Sequence, residues 1–249
     1  MLLRRLTVGL CLLTLGFAGQ AAADTISVAV AANFAEPAQQ IAQAFKASTG
    51  HEARISPGAS GQLLTQIAHG APYAVFLSAD AERPRRAETD GLGVAGTRFT
   101  YAVGRLALYS PRPGFASAGT LAEDRFGKLA IADPAVAPYG AAALETLAVM
   151  GLKDRLQGRV VLGSSIAQAH QFVASGAAGL GFVALSQVIG EPQTTYWIVP
   201  ANRHKPIAQQ AILLKAGADE PTARAFLTFL KGPQARAIIR RYGYAAPSR

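Results

Sequence analysis

Cysteine is almost missing from this 249-residue chain: the only one is Cys11, close to the N-terminus. Beyond that point neither disulfides nor thiolate metal sites can form. Histidine is scarce too. His51, His69, His170 and His204 are scattered without a pair at ligand spacing, which argues against a histidine metal centre. Charged residues make up only 16% of the chain, and acids are the rarer sign, 15 against 24 lysines and arginines. The basic clusters, Arg83-Pro84-Arg85-Arg86 and Arg240-Arg241, are short and lack interleaved aromatics. They read as solvated faces of surface helices, and no nucleic-acid partner is expected. No phosphate-loop Gly-Lys-Ser/Thr occurs, and Gly58-Ala59-Ser60-Gly61 lacks the glycine spacing of a nucleophile elbow. Internal repeats and low-complexity linkers are absent as well.

What the chain does have is apolar content: half of it is hydrophobic, enough for one large domain or two lobes of roughly 100 residues each. Its first residues belong to a different grammar. Arg4 and Arg5 precede the apolar run Leu6–Phe17, and Ala21-Ala22-Ala23 supplies small residues at a cleavage site. Residues 1–23 therefore read as a secretory signal peptide cut after Ala23, with an apolar part too short to span a membrane. The mature protein is expected to be exported, free of cysteine, and to carry a charge of about +7 once Arg4 and Arg5 are removed from the formal +9. In that setting a basic balance points to an anionic small ligand.

Strand, tight junction, helix is the unit that recurs. Thr25–Ala31 predicts a buried strand and Phe34–Ser48 an amphipathic helix, with Phe34, Ala38, Ile41, Ala42 and Phe45 on one face. Short strands at 52–56 and 75–77 flank a helix over 62–69. The second half repeats the alternation, with strands at 105–109, 129–132, 160–162, 180–184 and 195–199 and helices over 140–150 and 166–175. A strand over 206–214 precedes helices 221–230 and 233–242. This predicts an α/β fold whose sheets are largely parallel.

Four junctions share one character: small or hydroxyl residues, no charge, and a helix about to begin. They are Ala31-Ala32-Asn33, Gly58-Ala59-Ser60-Gly61, Ala137-Pro138-Tyr139-Gly140 and Gly163-Ser164-Ser165-Ile166. A first helical turn has unpaired N–H donors and a partial positive charge of about half a unit, which together hold an anion without any Lys or Arg. In open α/β sheets ligands bind at the carboxyl ends of strands, where all four junctions lie. A purely structural role competes with this at each junction: Asn33 with Glu36 resembles a capping box, and Ser60 and Ser165 are good N-caps. Asp80 and Asp133 each follow a strand and could pair for acid/base work, or simply cap the turns at Ala81 and Pro134.

Five stretches carry a family resemblance: ISVAVAANFAEPAQQIAQAFKASTG, GASGQLLTQIAHGAPYAVFLSAD, LAIADPAVAPYGAAALETL, SIAQAHQFVASGAAGLGFVALSQV and FLTFLKGPQARAIIRRYGY. In this order they resemble the periplasmic molybdate-binding proteins of molybdate ABC transporters, and the similarity spans the mature chain. The resemblance implies a two-lobed, type II periplasmic binding-protein fold, with mixed, mainly parallel sheets joined by two crossing strands near 101–104 and 205–209. Lobe 1 would comprise residues 24–103 and 207–249, and lobe 2 residues 104–206. It implies no enzymatic activity and no cofactor. The ligand would be molybdate, with tungstate alongside, and the molybdenum would be reached only through the oxyanion's oxygens. The implied site residues are Asn33, Ser60, Tyr139 and Ile166, with backbone N–H groups at Ala32 and Ala79. A membrane permease is the implied partner, the periplasm the implied location, and a monomer the implied state. A tyrosine ligand of some members is replaced here by Ala184, which cannot donate from its side chain. Two alternatives remain: a carrier of another oxyanion, such as sulfate or phosphonate, on the same fold, and an exported hydrolase using Ser60 or Ser165 with an Asp.

Overall fold

A computed structural model describes residues 24–247. The expected signal peptide, residues 1–23, lies outside them. Ten strands form two five-stranded sheets. The first contains β1 (Thr25–Ala31), β2 (Glu52–Gly58), β3 (Val75–Leu77) and β4 (Phe99–Gly104), to which a late strand returns. The second is built from β5 (Leu106–Tyr109), β6 (Leu129–Ala132), β7 (Val160–Gly163), β8 (Leu180–Ala184) and β9 (Tyr196–Ile198). The returning strand is β10 (Ile207–Leu213), and the spatial orders are β2-β1-β3-β10-β4 and β7-β6-β8-β5-β9.

The two sheets repeat one plan. Three parallel strands, β2-β1-β3 in one and β7-β6-β8 in the other, are joined through helices, and an antiparallel strand then inserts beside them. In the first sheet β10 runs against both β3 and β4; in the second β5 runs against both β8 and β9. The sheets are thus more mixed than an α/β alternation predicts. A reading by periodicity cannot see this, because a buried strand looks the same in either direction. The chain passes between sheets twice, at Gly104 to Leu106 and between β9 and β10.

Helices cover the sheet faces. Around the first sheet lie α1 (Ala35–Thr49), α2 (Ser60–Ala68) and α3 (Glu82–Thr89). The second carries α4 (Ala118–Glu123), α5 (Pro138–Val149), α6 (Lys153–Leu156), α7 (Ile166–Ala174) and α8 (Leu185–Val188). The tail adds α9 (Pro221–Lys231), packed on the first sheet, and α10 (Pro233–Arg241), packed on α1 and α9. Helix α1 buries Ala38, Ile41 and Phe45, the stripe its sequence predicts, and Phe45 meets Phe226 and Phe229 of α9 in edge-on pairs 5.4 and 5.6 Å apart. Such pairs add about 0.5–1.5 kcal/mol beyond the area they bury. The inner strands β3, β5, β6 and β8 are apolar and buried along their whole length, whereas the edge strands β2, β7 and β9 are partly exposed.

Local register matters at one place. Along β4 and β10, Ala102 pairs Gln209 but Thr100 pairs Gln210, so Tyr101 is an extra residue with no partner. This β-bulge turns the Tyr101 ring into the seam between the sheets, where bulges commonly re-aim a side chain next to a site.

Candidate functional site

The seam between the two sheets encloses a small cavity, and all six residues expected at the site line it: Ala32, Asn33, Ser60, Ala79, Tyr139 and Ile166. The strands β1, β2, β6 and β7 lead here, and each is followed by the first turn of a helix: directly after β1, within one or two residues after β2 and β7, and after a turn over residues 133–137 following β6. The first is a short 3₁₀ turn, Ala32–Phe34, leading into α1; the others are α2, α5 and α7. The first turns of these helices leave N–H groups without intrahelical acceptors, and they converge from both sheets. None of the eleven lining residues is charged. The cavity volume is about 10 Å³, roughly one water's worth, so it takes one compact ion and no organic ligand of ordinary size.

The donors differ in how they are held. Ser60 is the first residue of α2 rather than its N-cap, a position taken by Ala59. Its Oγ accepts the Ala79 N–H at 3.0 Å, which leaves the Ser60 O–H free to donate into the cavity. The Ala79 N–H, expected as a direct donor to the ligand, is held here by the serine oxygen and orients it. Tyr139 follows Pro138 at the start of α5, where its N–H is an orphan of the first turn. Ile166 begins α7, and here Ser165 is an N-cap, accepting from the Gln168 N–H at 3.3 Å. The structural reading thus holds for Ser165 and fails for Ser60.

It fails for Asn33 too. No capping box forms, and Glu36 instead accepts the Tyr242 O–H at 2.7 Å. The Asn33 carboxamide turns into a buried polar network. Its Nδ2 donates to Gln209 Oε1 and to the Tyr244 hydroxyl, both at 3.0 Å. Tyr101 donates to the same Gln209 Oε1 at 2.9 Å, and Gln209 Nε2 donates to the Tyr139 hydroxyl at 3.1 Å. Ser186, at the start of α8, donates to the Asn33 carbonyl at 2.8 Å and accepts from Tyr244. Gln209 is 0% exposed and Asn33 3%, so the network is sealed from solvent. Burial holds the hydroxyls of Tyr101, Tyr139 and Tyr244 well above the ordinary tyrosine range, and all three stay neutral.

Gln209 was legible in principle. It shares the buried face of β10 with Ile207 and Ala211, and a lone carboxamide on such a face needs partners. Tyr101 and Tyr244 gave no such signal, because a buried tyrosine usually serves the core.

Two glycines let the parts approach. Gly61 donates to the Val136 carbonyl at 2.9 Å across the seam, and a methyl group there would sit 2.9 Å from Val136 Cα. At Gly104 a methyl group would overlap the Tyr139 hydroxyl and press on Gln209 Nε2. Arg83 adds a second bridge. It pairs with Asp80 and donates from its guanidinium to the Ala135 carbonyl at 2.9 Å. Asp80 and Asp133 do not pair for acid/base work: each accepts a backbone N–H of the turn it opens, from Arg83 at 3.1 Å and Ala135 at 2.9 Å. With no histidine or carboxylate lining the cavity, Ser60 has no general base beside it.

A small, uncharged pocket made of helix starts from two sheets has the features of an anion site in a two-sheet binding protein. The comparisons agree with that class. The family model described as "Bacterial extracellular solute-binding protein" matches residues 26–245. The molybdate-binding protein ModA of Rhodobacter capsulatus is 49% identical over 93% of this chain and 92% of its own length. That of Azotobacter vinelandii is 48% identical over 97% of each. The solved structure of the Azotobacter vinelandii periplasmic molybdate-binding protein superposes with a TM-score of 0.86 at 42% identity, covering 90% of this chain and all of that one. The chain belongs to the bacterial extracellular solute-binding proteins, in the family of the molybdate-binding relatives.

Proposed function

We propose that this protein captures molybdate, and tungstate with it, in the cavity between its two sheets, and delivers it in the periplasm to the membrane permease of an ABC importer. The observation that carries this reading is the uncharged cavity onto which four helix N-termini converge from both sheets. The two relatives at 48–49% identity bear molybdate in their names and support the choice of ion. The donors are the Ser60 hydroxyl, backbone N–H groups at Ala32, Asn33, Tyr139 and Ile166, and the Asn33 carboxamide. Ala79 acts through Ser60. Such donors stabilise a doubly charged oxyanion without a counter-charge, and the low dielectric of a sealed site strengthens each contact.

Residues 24–103 and 207–249 would move as one lobe and 104–206 as the other, hinged where the chain crosses between sheets. An anion held from both sides favours the closed arrangement by its differential affinity for it. The working unit is a monomer, and no catalysis is involved. Selectivity follows from two properties. With the Asn33 carboxamide presenting its N–H and the Ser60 oxygen already accepting from Ala79, the donor set offers no acceptor for an oxyanion proton, which disfavours monohydrogen phosphate. The rigid first turns fix the donor spacing, so an ion with shorter bonds, such as sulfate, leaves them out of reach. Isothermal titration with molybdate, tungstate, sulfate and phosphate tests the reading. Tight binding of the first two alone is expected, and a sulfate affinity equal to that for molybdate overturns it.

A further inference from the structure

The two carboxamides in the seam are set against each other in a way that the proposed ligand must change. As described above, both amide protons of Asn33 are used, one by Gln209 Oε1 and one by Tyr244. Its Oδ1 has no hydrogen-bond partner among the described residues, and Asn33 lines the cavity. The end of the carboxamide left for an oxyanion is therefore an acceptor, which repels it.

A carboxamide exchanges donor and acceptor by a half-turn about its terminal bond. If Asn33 turned alone, its Oδ1 would face Gln209 Oε1, acceptor against acceptor in a buried seam, an arrangement that leaves both without partners. If both amides turn, every N–H and O–H keeps an acceptor, at the cost of the Tyr244 O–H bonds to the Asn33 carbonyl and to Ser186 Oγ. Gln209 Nε2 then donates to Asn33 Oδ1 and to the Tyr101 oxygen, and Tyr101 keeps its own proton for the Ser78 carbonyl, 3.2 Å away. The Tyr139 O–H donates to Gln209 Oε1, and the Tyr244 O–H donates to Asn33 Oδ1. Ser186 still donates to the Asn33 carbonyl. Asn33 Nδ2 becomes the end that faces the cavity.

We propose that Gln209 is a positioning residue for anion capture: the Asn33 and Gln209 carboxamides turn together, and only the joint half-turn gives the cavity its Asn33 N–H donor. This rests on the reading of the cavity as an oxyanion site. The tyrosine hydroxyls make the two settings possible, because each can donate or accept; phenylalanines would lock neither amide. The inserted residue Tyr101 and the methyl-free Gly104 hold two of these hydroxyls against Gln209.

A double-mutant cycle read by titration with molybdate tests the coupling. Asn33→Ala should weaken binding roughly tenfold or more, as for a hydrogen bond to a charged group. Gln209→Met, which keeps the shape and removes both polar ends, should weaken it several-fold when Asn33 is present. In the Asn33→Ala background it should add less than about twofold, whereas costs that simply multiply overturn the proposal. A second measurement needs no variant. In ¹⁵N spectra of the native protein, the side-chain NH₂ signals of Asn33 and Gln209 should shift together as molybdate is added, and a stationary Gln209 signal overturns the proposal. If Asn33→Ala binds as well as the native protein while Ser60→Ala is weakened, Gln209 has no donor to position and the inference fails with the cavity reading intact. If neither variant is weakened, the cavity reading itself has failed.

Discussion

Replacing Gly61 with alanine separates closure of the cavity from stability of the fold. The added methyl would lie 2.9 Å from Val136 Cα, 3.1 Å from its Cβ and 3.2 Å from its carbonyl oxygen. Carbon atoms sit comfortably at about 3.5–4.0 Å, so α2 and the segment before α5 must part by roughly 0.6–1 Å. The Gly61 N–H to Val136 carbonyl bond, now 2.9 Å, then stretches beyond useful range. Losing it costs about 0.5–1.5 kcal/mol, and the residual crowding about 1–3 kcal/mol. Both penalties fall on the closed arrangement, in which the two segments touch. Within α2 itself, alanine is a better helix former than glycine by about 1 kcal/mol. The expected result is a molybdate Kd raised about tenfold to two-thousandfold, mostly through faster release, with the melting temperature of the ligand-free protein unchanged or slightly raised. Titration calorimetry, stopped-flow release and a thermal melt without ligand measure the three quantities. A Kd within twofold of the native value would refute the closure argument.

Three further outcomes follow from the same geometry. Ser60→Ala removes a donor and strands the Ala79 N–H, so molybdate affinity should fall by about 1–3 kcal/mol in calorimetry. Gly104→Ala displaces the Tyr139 hydroxyl from Gln209 and should lower the melting temperature by several degrees, checked by differential scanning calorimetry. The tyrosines set the pH dependence. Burial raises the Tyr101, Tyr139 and Tyr244 hydroxyls above the ordinary value of about 10, and Tyr242 is pushed up to about 12 by burial and its bond to Glu36. Above pH ~10 the unfolded chain loses protons that the folded chain keeps, so stability should fall as pH rises past that point. Chemical unfolding at pH 9, 10 and 11 should show it, while affinity stays level between pH 6 and 9. A flat stability profile up to pH 11 would contradict the buried assignment.

How much of this was legible depends on how local the cause is. The strand–helix alternation was, because a period of two giving way to one of 3.6 is written within ten residues. The four junctions were legible for the same reason: a run of small residues before an amphipathic helix is a local pattern, and the cavity gathers all four. What escaped was the assignment of partners. Asn33 with Glu36 has the spacing of a capping box, yet each is claimed by a group more than 170 positions away, Gln209 for one and Tyr242 for the other. Local spacing cannot compete with a buried carboxamide that must be satisfied. Ala79 escaped similarly, since only the fold reveals that Ser60 Oγ takes its N–H. The antiparallel insertion of β10 was hidden by its apolar sequence, which suits either direction.

The C-terminal segment has a practical consequence. Residues 242–245 look like a tail after the last helix, but Tyr244 completes the partner set of Asn33, and Ala245 exchanges backbone bonds with Val103 at 2.9 and 3.0 Å. The segment after α10 is thereby stitched to β4. Anyone trimming the protein for crystallisation, or fusing a reporter, should keep this stitch whole. A version ending at Arg241 would leave the Asn33 amide at the pocket without its Tyr244 partner, and a sensor built with its fluorophore near Tyr244 would report on that amide from behind the pocket.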